Sequence, residues 1–103
     1  MSESASTDDM PAQGPVRREL QITNKKGLHA RASAKFVQLV EKFDADVLVT
    51  RGGETVGGRS IMGLMMLSAA PGCSIIVEAT GRDAVAVMDA LERLVTSRFG
   101  EDD

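Results

Sequence analysis

The chain contains one histidine, His29, in the run Gly27-Leu28-His29-Ala30-Arg31-Ala32-Ser33. A neutral imidazole is a nucleophile near pH 7, so it can take up a phosphoryl group covalently. The run lies where an extended stretch from Glu19 to Thr23 gives way to a helical pattern, which places the ring at or beside a helix N-terminus. The first amides of a helix lack intrahelical acceptors, and the macrodipole is positive there, so such an end seats an anion such as phosphate. Arg31 can reach toward the same anion with its guanidinium. Position alone favours the plainer reading of both residues, a partly exposed helix-start histidine and a solvated arginine.

Two further side chains carry chemistry in principle. Ser60 precedes the apolar run Ile61-Met62-Gly63-Leu64-Met65-Met66-Leu67 and is explained by helix capping alone. That run is too apolar for one buried face. Leu64 and Leu67 are expected to point inward, leaving Ile61, Met62 and Met65 as an adaptable contact patch. Gly63 in the middle costs about 1 kcal/mol relative to alanine and leaves the backbone open to close approach. Cys73 is the sole cysteine, which excludes an internal disulfide framework and fits a reducing compartment; its expected role is that of a small buried hydrophobe.

The elements that must position these groups follow from periodicity. Leu20 and Ile22 alternate with Glu19, Gln21 and Thr23, as in a half-buried strand over 16–23, and 24–27 make a polar turn. A helix is expected over about 30–42, with Ala32, Phe36, Leu39, Val40 and Phe43 on one stripe. Residues 46–50 and 54–56 flank Arg51-Gly52-Gly53 as a hairpin. The short helix after Ser60 ends at Ala70-Pro71-Gly72, and 73–80 form a fourth strand with Ile75, Val77 and Ala79 on one face. The last helix carries Ala84, Val87, Met88, Leu91, Leu94 and Val95 and ends by Gly100. The order βαββαβα, with the last strand slipping between the first two, predicts an α+β two-layer open-faced sandwich, a four-stranded antiparallel sheet with three helices on one face. The expected organisation is a disordered tail over 1–15, one domain over 16–99 and an acidic tail over 100–103.

With 103 residues, a net charge of −3 and three phenylalanines as the only aromatic residues, the chain has neither the basic stripe nor the stacking platform of a nucleic-acid binder. It has no apolar run of membrane-spanning length, and its first fifteen residues lack the basic start and apolar core of a signal peptide, so a cytoplasmic protein is expected. Gly52-Gly53 and Gly57-Gly58 lack the spacing and the lysine of a phosphate-binding loop. Neither a second histidine nor a carboxylate stands near the His29 motif in the sequence to activate water, which favours a carrier over a hydrolase.

Gly27-Leu28-His29-Ala30-Arg31, with Ser60-Ile61-Met62-Gly63 about thirty residues later on this element order, resembles the HPr family of histidine-containing phosphocarriers of the bacterial phosphoenolpyruvate-dependent phosphotransferase system. The resemblance spans roughly residues 16–99, and Ile22-Thr23-Asn24-Lys25-Lys26-Gly27 is also similar to the nitrogen-related branch. It implies that His29 accepts a phosphoryl group on Nδ1 from phosphorylated Enzyme I and passes it to a histidine of an EIIA-type protein. It further implies that Arg31 steadies the phosphate and that Ser60 is phosphorylated by HPr kinase/phosphorylase. Docking would use Ala30, Ala34, Ile61, Met62 and Met65 on a monomer, with Lys25, Lys26, Lys35 and Arg59 offsetting Gln38 and Glu41, which stand where the family often has basic residues. Ala32 replaces the family's usual proline, a good helix former in place of a residue that pre-sets φ. No metal or organic cofactor is implied. The alternatives are a non-catalytic regulator that binds partners according to its phosphorylation state, and a small-metabolite-binding α+β domain.

Overall fold

The structure is a computed structural model that describes residues 15–101. The tail expected over 1–15 therefore lies outside the described residues, Pro15 apart, as do the last two residues of the expected acidic tail. The elements run β1 (Val16–Gln21), α1 (Ala30–Val40), β2 (Asp46–Arg51), β3 (Glu54–Gly57), α2 (Ile61–Met66), β4 (Ser74–Thr80) and α3 (Ala84–Thr96), followed by a single 3-10 turn over Arg98–Gly100. All strand pairs are antiparallel, in the order β1-β4-β2-β3, so the last strand does enter between the first two. The predicted fold class holds: a four-stranded antiparallel sheet layered with three helices.

The layering follows from the period-2 alternation of the strands. Leu20 on β1, Val47 and Val49 on β2, and Ile75, Val77 and Ala79 on β4 are buried toward the helices. Phe36 and Val40 of α1, Leu64 of α2, and Val87, Met88, Leu91 and Val95 of α3 close the core over them. The β2-β3 connection is the two-residue loop Gly52-Gly53, with φ of 59° and 85°, the left-handed pair that matches the twist of a tight hairpin.

Three features differ from the sequence reading: the end of α1, its buried face and the setting of Cys73. α1 stops at Val40 because the amides of Lys42 and Phe43 bond to the carbonyls of Leu39 and Val40, three residues back, tightening the last turn out of register. Val37 and Ser33 join the buried face of α1, while Leu39 and Phe43 are only half-buried. Ser33 tolerates burial because its hydroxyl donates to the Leu28 carbonyl at 3.2 Å. Cys73 sits just before β4, half-buried rather than enclosed, and its Sγ accepts a 3.2 Å hydrogen bond from Arg51 Nη2. That bond, first among the causes, draws the thiol below its ordinary pKa.

Beyond α3 the chain does not trail off. Arg98 and Phe99 take left-handed φ of 59° and 56°, a conformation that costs a non-glycine residue on the order of 1–3 kcal/mol. Burial of Phe99 to 1% exposure offsets it. The turn reverses the chain toward the start of α1.

Candidate functional site

His29 is the N-cap residue of α1, in extended backbone geometry (φ −77°, ψ −176°). Its own side chain makes the cap: Nδ1 accepts from the Arg31 amide at 3.2 Å. Behind it, Gly27 (φ 64°) makes a bend that only glycine fits, since a Cβ there would overlap the Ala69 carbonyl oxygen. Leu28 donates its amide to that same carbonyl at 3.0 Å and buries its side chain, so the loop is anchored on the segment that follows α2.

The other ring nitrogen faces a carboxylate. His29 Nε2 lies 2.6 Å from Glu101 Oε2, and the side chains are 27% and 15% exposed. Asn24, fully buried, donates through Nδ2 to Glu101 Oε1 at 3.1 Å and to the Gly27 carbonyl at 2.8 Å. Its Oδ1 is buried without a partner, but turning the amide over would aim that oxygen at a carbonyl and a carboxylate instead. Burial pushes the Glu101 carboxyl up, yet the hydrogen bonds from His29 and Asn24 and the positive charge of Lys26 outweigh it, and the net displacement is downward. Glu101 is therefore ionised near neutrality and can only accept. Nε2 must then carry the proton, and Nδ1, already facing an amide N–H, must offer its lone pair.

Sequence reasoning found His29 and missed Glu101. The expectation that no carboxylate stands near the motif is corrected here, because Glu101, 72 residues away in sequence, packs against the ring rather than belonging to a free acidic tail. The signal available was Phe99, an aromatic residue too apolar for a tail.

A hollow of about 430 Å³ beside the ring is lined by Lys26, His29, Ala30, Arg31 and Glu101. Arg31 is exposed, and among the described residues its guanidinium has no hydrogen-bond or ion-pair partner. Lys35 and Arg59 are already engaged: Lys35 Nζ donates to the Phe99 carbonyl at 2.6 Å, and Arg59 Nη2 to the Ala45 carbonyl at 3.3 Å. Lys25 and Lys26 are exposed.

Ser60 is the N-cap of α2, its Oγ accepting from the Gly63 amide at 2.9 Å. Leu64 and Leu67 point into the core, while Ile61, Met62, Met65 and also Met66, which the sequence reading did not assign, are exposed at 41%, 72%, 42% and 62%. Ala30 is exposed and Ala34 half-buried. Among the described residues no cluster of three potential metal ligands occurs, and no helix is long and apolar enough to cross a membrane.

A four-stranded antiparallel sheet under three helices, with a lone histidine capping the first of them, is the architecture of small histidine phosphocarrier proteins. The chain belongs to the HPr family: residues 16–97 match the family model described as the PTS HPr component phosphorylation site. It is 48% identical over 86 residues to the phosphocarrier protein HPr of Cupriavidus necator, covering 84% of this chain and 97% of that one. It is 38% identical to the phosphocarrier protein NPr of Shewanella violacea over 86 residues, 84% of this chain and 94% of that one. Its fold is similar to the crystal structure of HPr-C-His from Thermoanaerobacter tengcongensis, with a TM-score of 0.81 and 38% identity, covering 85% of this chain and 99% of that one. Its role is accordingly that of a phosphocarrier of the phosphotransferase system.

Proposed function

We propose that Nδ1 of His29 accepts a phosphoryl group from phosphorylated Enzyme I, charged by phosphoenolpyruvate, and passes it to a histidine of an EIIA-type protein. The observation that supports this reading is the placement of the ring at a helix start, with Nδ1 3.2 Å from the Arg31 amide and Nε2 2.6 Å from Glu101 Oε2. Once Nδ1 is bonded to phosphorus, the Arg31 amide that capped it can donate to a phosphoryl oxygen instead, and the α1 dipole and the Arg31 guanidinium add positive potential. Phosphoryl transfer asks mainly for alignment and charge stabilisation, which these groups and the donor protein together supply.

Docking falls to the patch formed by Ala30, Ala34, Ile61, Met62 and Met65, with the protein acting as a monomer. Ser60 borders that patch. A phosphate added there by HPr kinase/phosphorylase brings about −1.5 to −2 charges to the rim of an apolar surface, so docking weakens although the helix itself tolerates the charge.

The test is incubation with phosphoenolpyruvate and Enzyme I, followed by assay for acid-labile, alkali-stable phosphate. Wild type should acquire it and His29→Ala should not. Equal labelling of the two, or none on wild type, refutes the assignment.

A further inference from the structure

We propose that the thioethers of Met62, Met65 and Met66 form an oxidation site, at which a peroxide adds oxygen to sulfur and so weakens docking by the phosphoryl donor while the fold stays intact. The proposal rests on the docking reading of α2 given above and adds to it Met66 and a chemical input.

The three sulfurs are set apart from the rest of α2 by their placement. Positions 62, 65 and 66 stand at i, i+3 and i+4, so their side chains share one helix face. All three are exposed, and Met62 and Met66 are the most exposed large apolar side chains among the described residues. Leu64 and Leu67, on the other side, are buried and hold α2 to the core. Met88 on α3 is fully buried, so the same residue type also occurs where an oxidant cannot reach it. Leucine or isoleucine would give the outer face as much apolar area. Thioethers give it, in addition, adaptable contact and a sulfur that can be oxidised and restored. Cys73, the other sulfur near α2, is half-buried and bonded to Arg51.

The step is a two-electron oxidation. A lone pair on sulfur attacks one oxygen of hydrogen peroxide, the S–O bond forms and the O–O bond breaks. The electron pair leaves on hydroxide, which takes up the proton of the transferred oxygen and departs as water. Sulfur is oxidised and the peroxide reduced. A methionine sulfoxide reductase reverses the change: its thiols supply two electrons and end as a disulfide, and the oxygen leaves as water. The sulfoxide oxygen is a strong acceptor. On the free protein it is hydrated, and none of the three side chains belongs to the core, so the fold is not disturbed. Against an apolar partner surface its water is stripped away and the acceptor is left unpaired, which disfavours docking. The face that Ser60 borders is in this way open to a second input, one that needs no kinase.

The test treats the full chain with hydrogen peroxide, locates the added oxygen by peptide mass spectrometry and measures charging by Enzyme I over a range of carrier concentrations. Each protein is compared with its own untreated sample. Met62, Met65 and Met66 should oxidise ahead of Met88. Treated wild type should show a KM raised on the order of tenfold with kcat held, as expected when one polar group loses its water without gaining a partner. Its Tm should not move, whereas a structural lesion would lower it. Reduction by methionine sulfoxide reductases of both epimer specificities should restore the KM. The triple variant Met62→Leu, Met65→Leu, Met66→Leu retains Met1, Met10, Met88 and Cys73, and it should keep its own KM through the same treatment. Should that variant fold poorly, recovery of wild type on reduction carries the test, because damage at Cys73 does not respond to those reductases. An unchanged KM in oxidised wild type, an equal rise in the triple variant, no recovery once the sulfurs are reduced, or oxidation of Met88 before the α2 sulfurs overturns the proposal and leaves His29 as the acceptor. Absence of acid-labile phosphate on untreated wild type overturns the carrier reading and this proposal together.

Discussion

Gly27 and Ala69 meet backbone to backbone: a Cβ on Gly27 would overlap the Ala69 carbonyl oxygen, the same oxygen that accepts the Leu28 amide at 3.0 Å. Through this contact the loop that carries His29 leans on the segment leaving α2. Gly27→Ala would combine a left-handed φ with a backbone clash, so it should destabilise the fold by more than about 1 kcal/mol. Chemical denaturation checks this; a variant with wild-type stability would mean that the loop reshapes freely around the added methyl.

Among the described residues the Arg31 guanidinium has no partner, and it stands at the rim of the hollow beside the ring. Arg31→Glu reverses the charge where the phosphoryl group is proposed to sit, and it should slow transfer to His29 and from it while leaving the fold intact. Rapid-quench kinetics in both directions decide the matter. Unchanged rates would remove the guanidinium from the mechanism and leave phosphate stabilisation to the amides.

Ser60 separates its two roles by substitution. Ser60→Ala loses the bond to the Gly63 amide and should cost about 1 kcal/mol, as loss of an N-cap does. Ser60→Asp keeps a capping oxygen and adds charge beside Ile61 and Met62, so stability should hold while charging by Enzyme I slows. Charging of Ser60→Asp at the wild-type rate would argue against regulation by phosphorylation at this position.

Acid should open the Glu101 clamp. The folded carboxyl lies below its ordinary value of 4.5, because the bonds from His29 and Asn24 and the nearby positive charge of Lys26 outweigh burial, which pushes the other way. The contact therefore stabilises the turn above the unfolded value and is lost as pH falls through the lower folded value. Amide chemical shifts of Gly100 followed through an acid titration should move with a midpoint under 4.5 and stay flat in Glu101→Gln. A midpoint at or above that value would mean the carboxylate is not held.

Much of the architecture is local in origin and so can be read along the chain. The alternation around Leu20, the stripe from Val87 to Val95, the glycine pair at Gly52-Gly53 and the cap at Ser60 each encode an element through neighbours a few residues apart. The end of α1 was misplaced because Glu41 and Lys42 are good helix formers, and what stops the helix is a change of hydrogen-bond register, which no residue type announces.

His29 at the head of α1 and Ser60 at the head of α2 were determined by the sequence itself, since capping depends on the immediately adjoining residues. What faces Nε2 on the far side of the ring was decided only by tertiary structure. That contact depends on Glu101 and Asn24, which stand 77 residues apart and meet because β1, α1 and the turn after α3 close on one core around Phe99. A pairing between residues so distant leaves no periodic trace, and a carboxylate near the end of a chain reads as solvated until the fold shows what it touches.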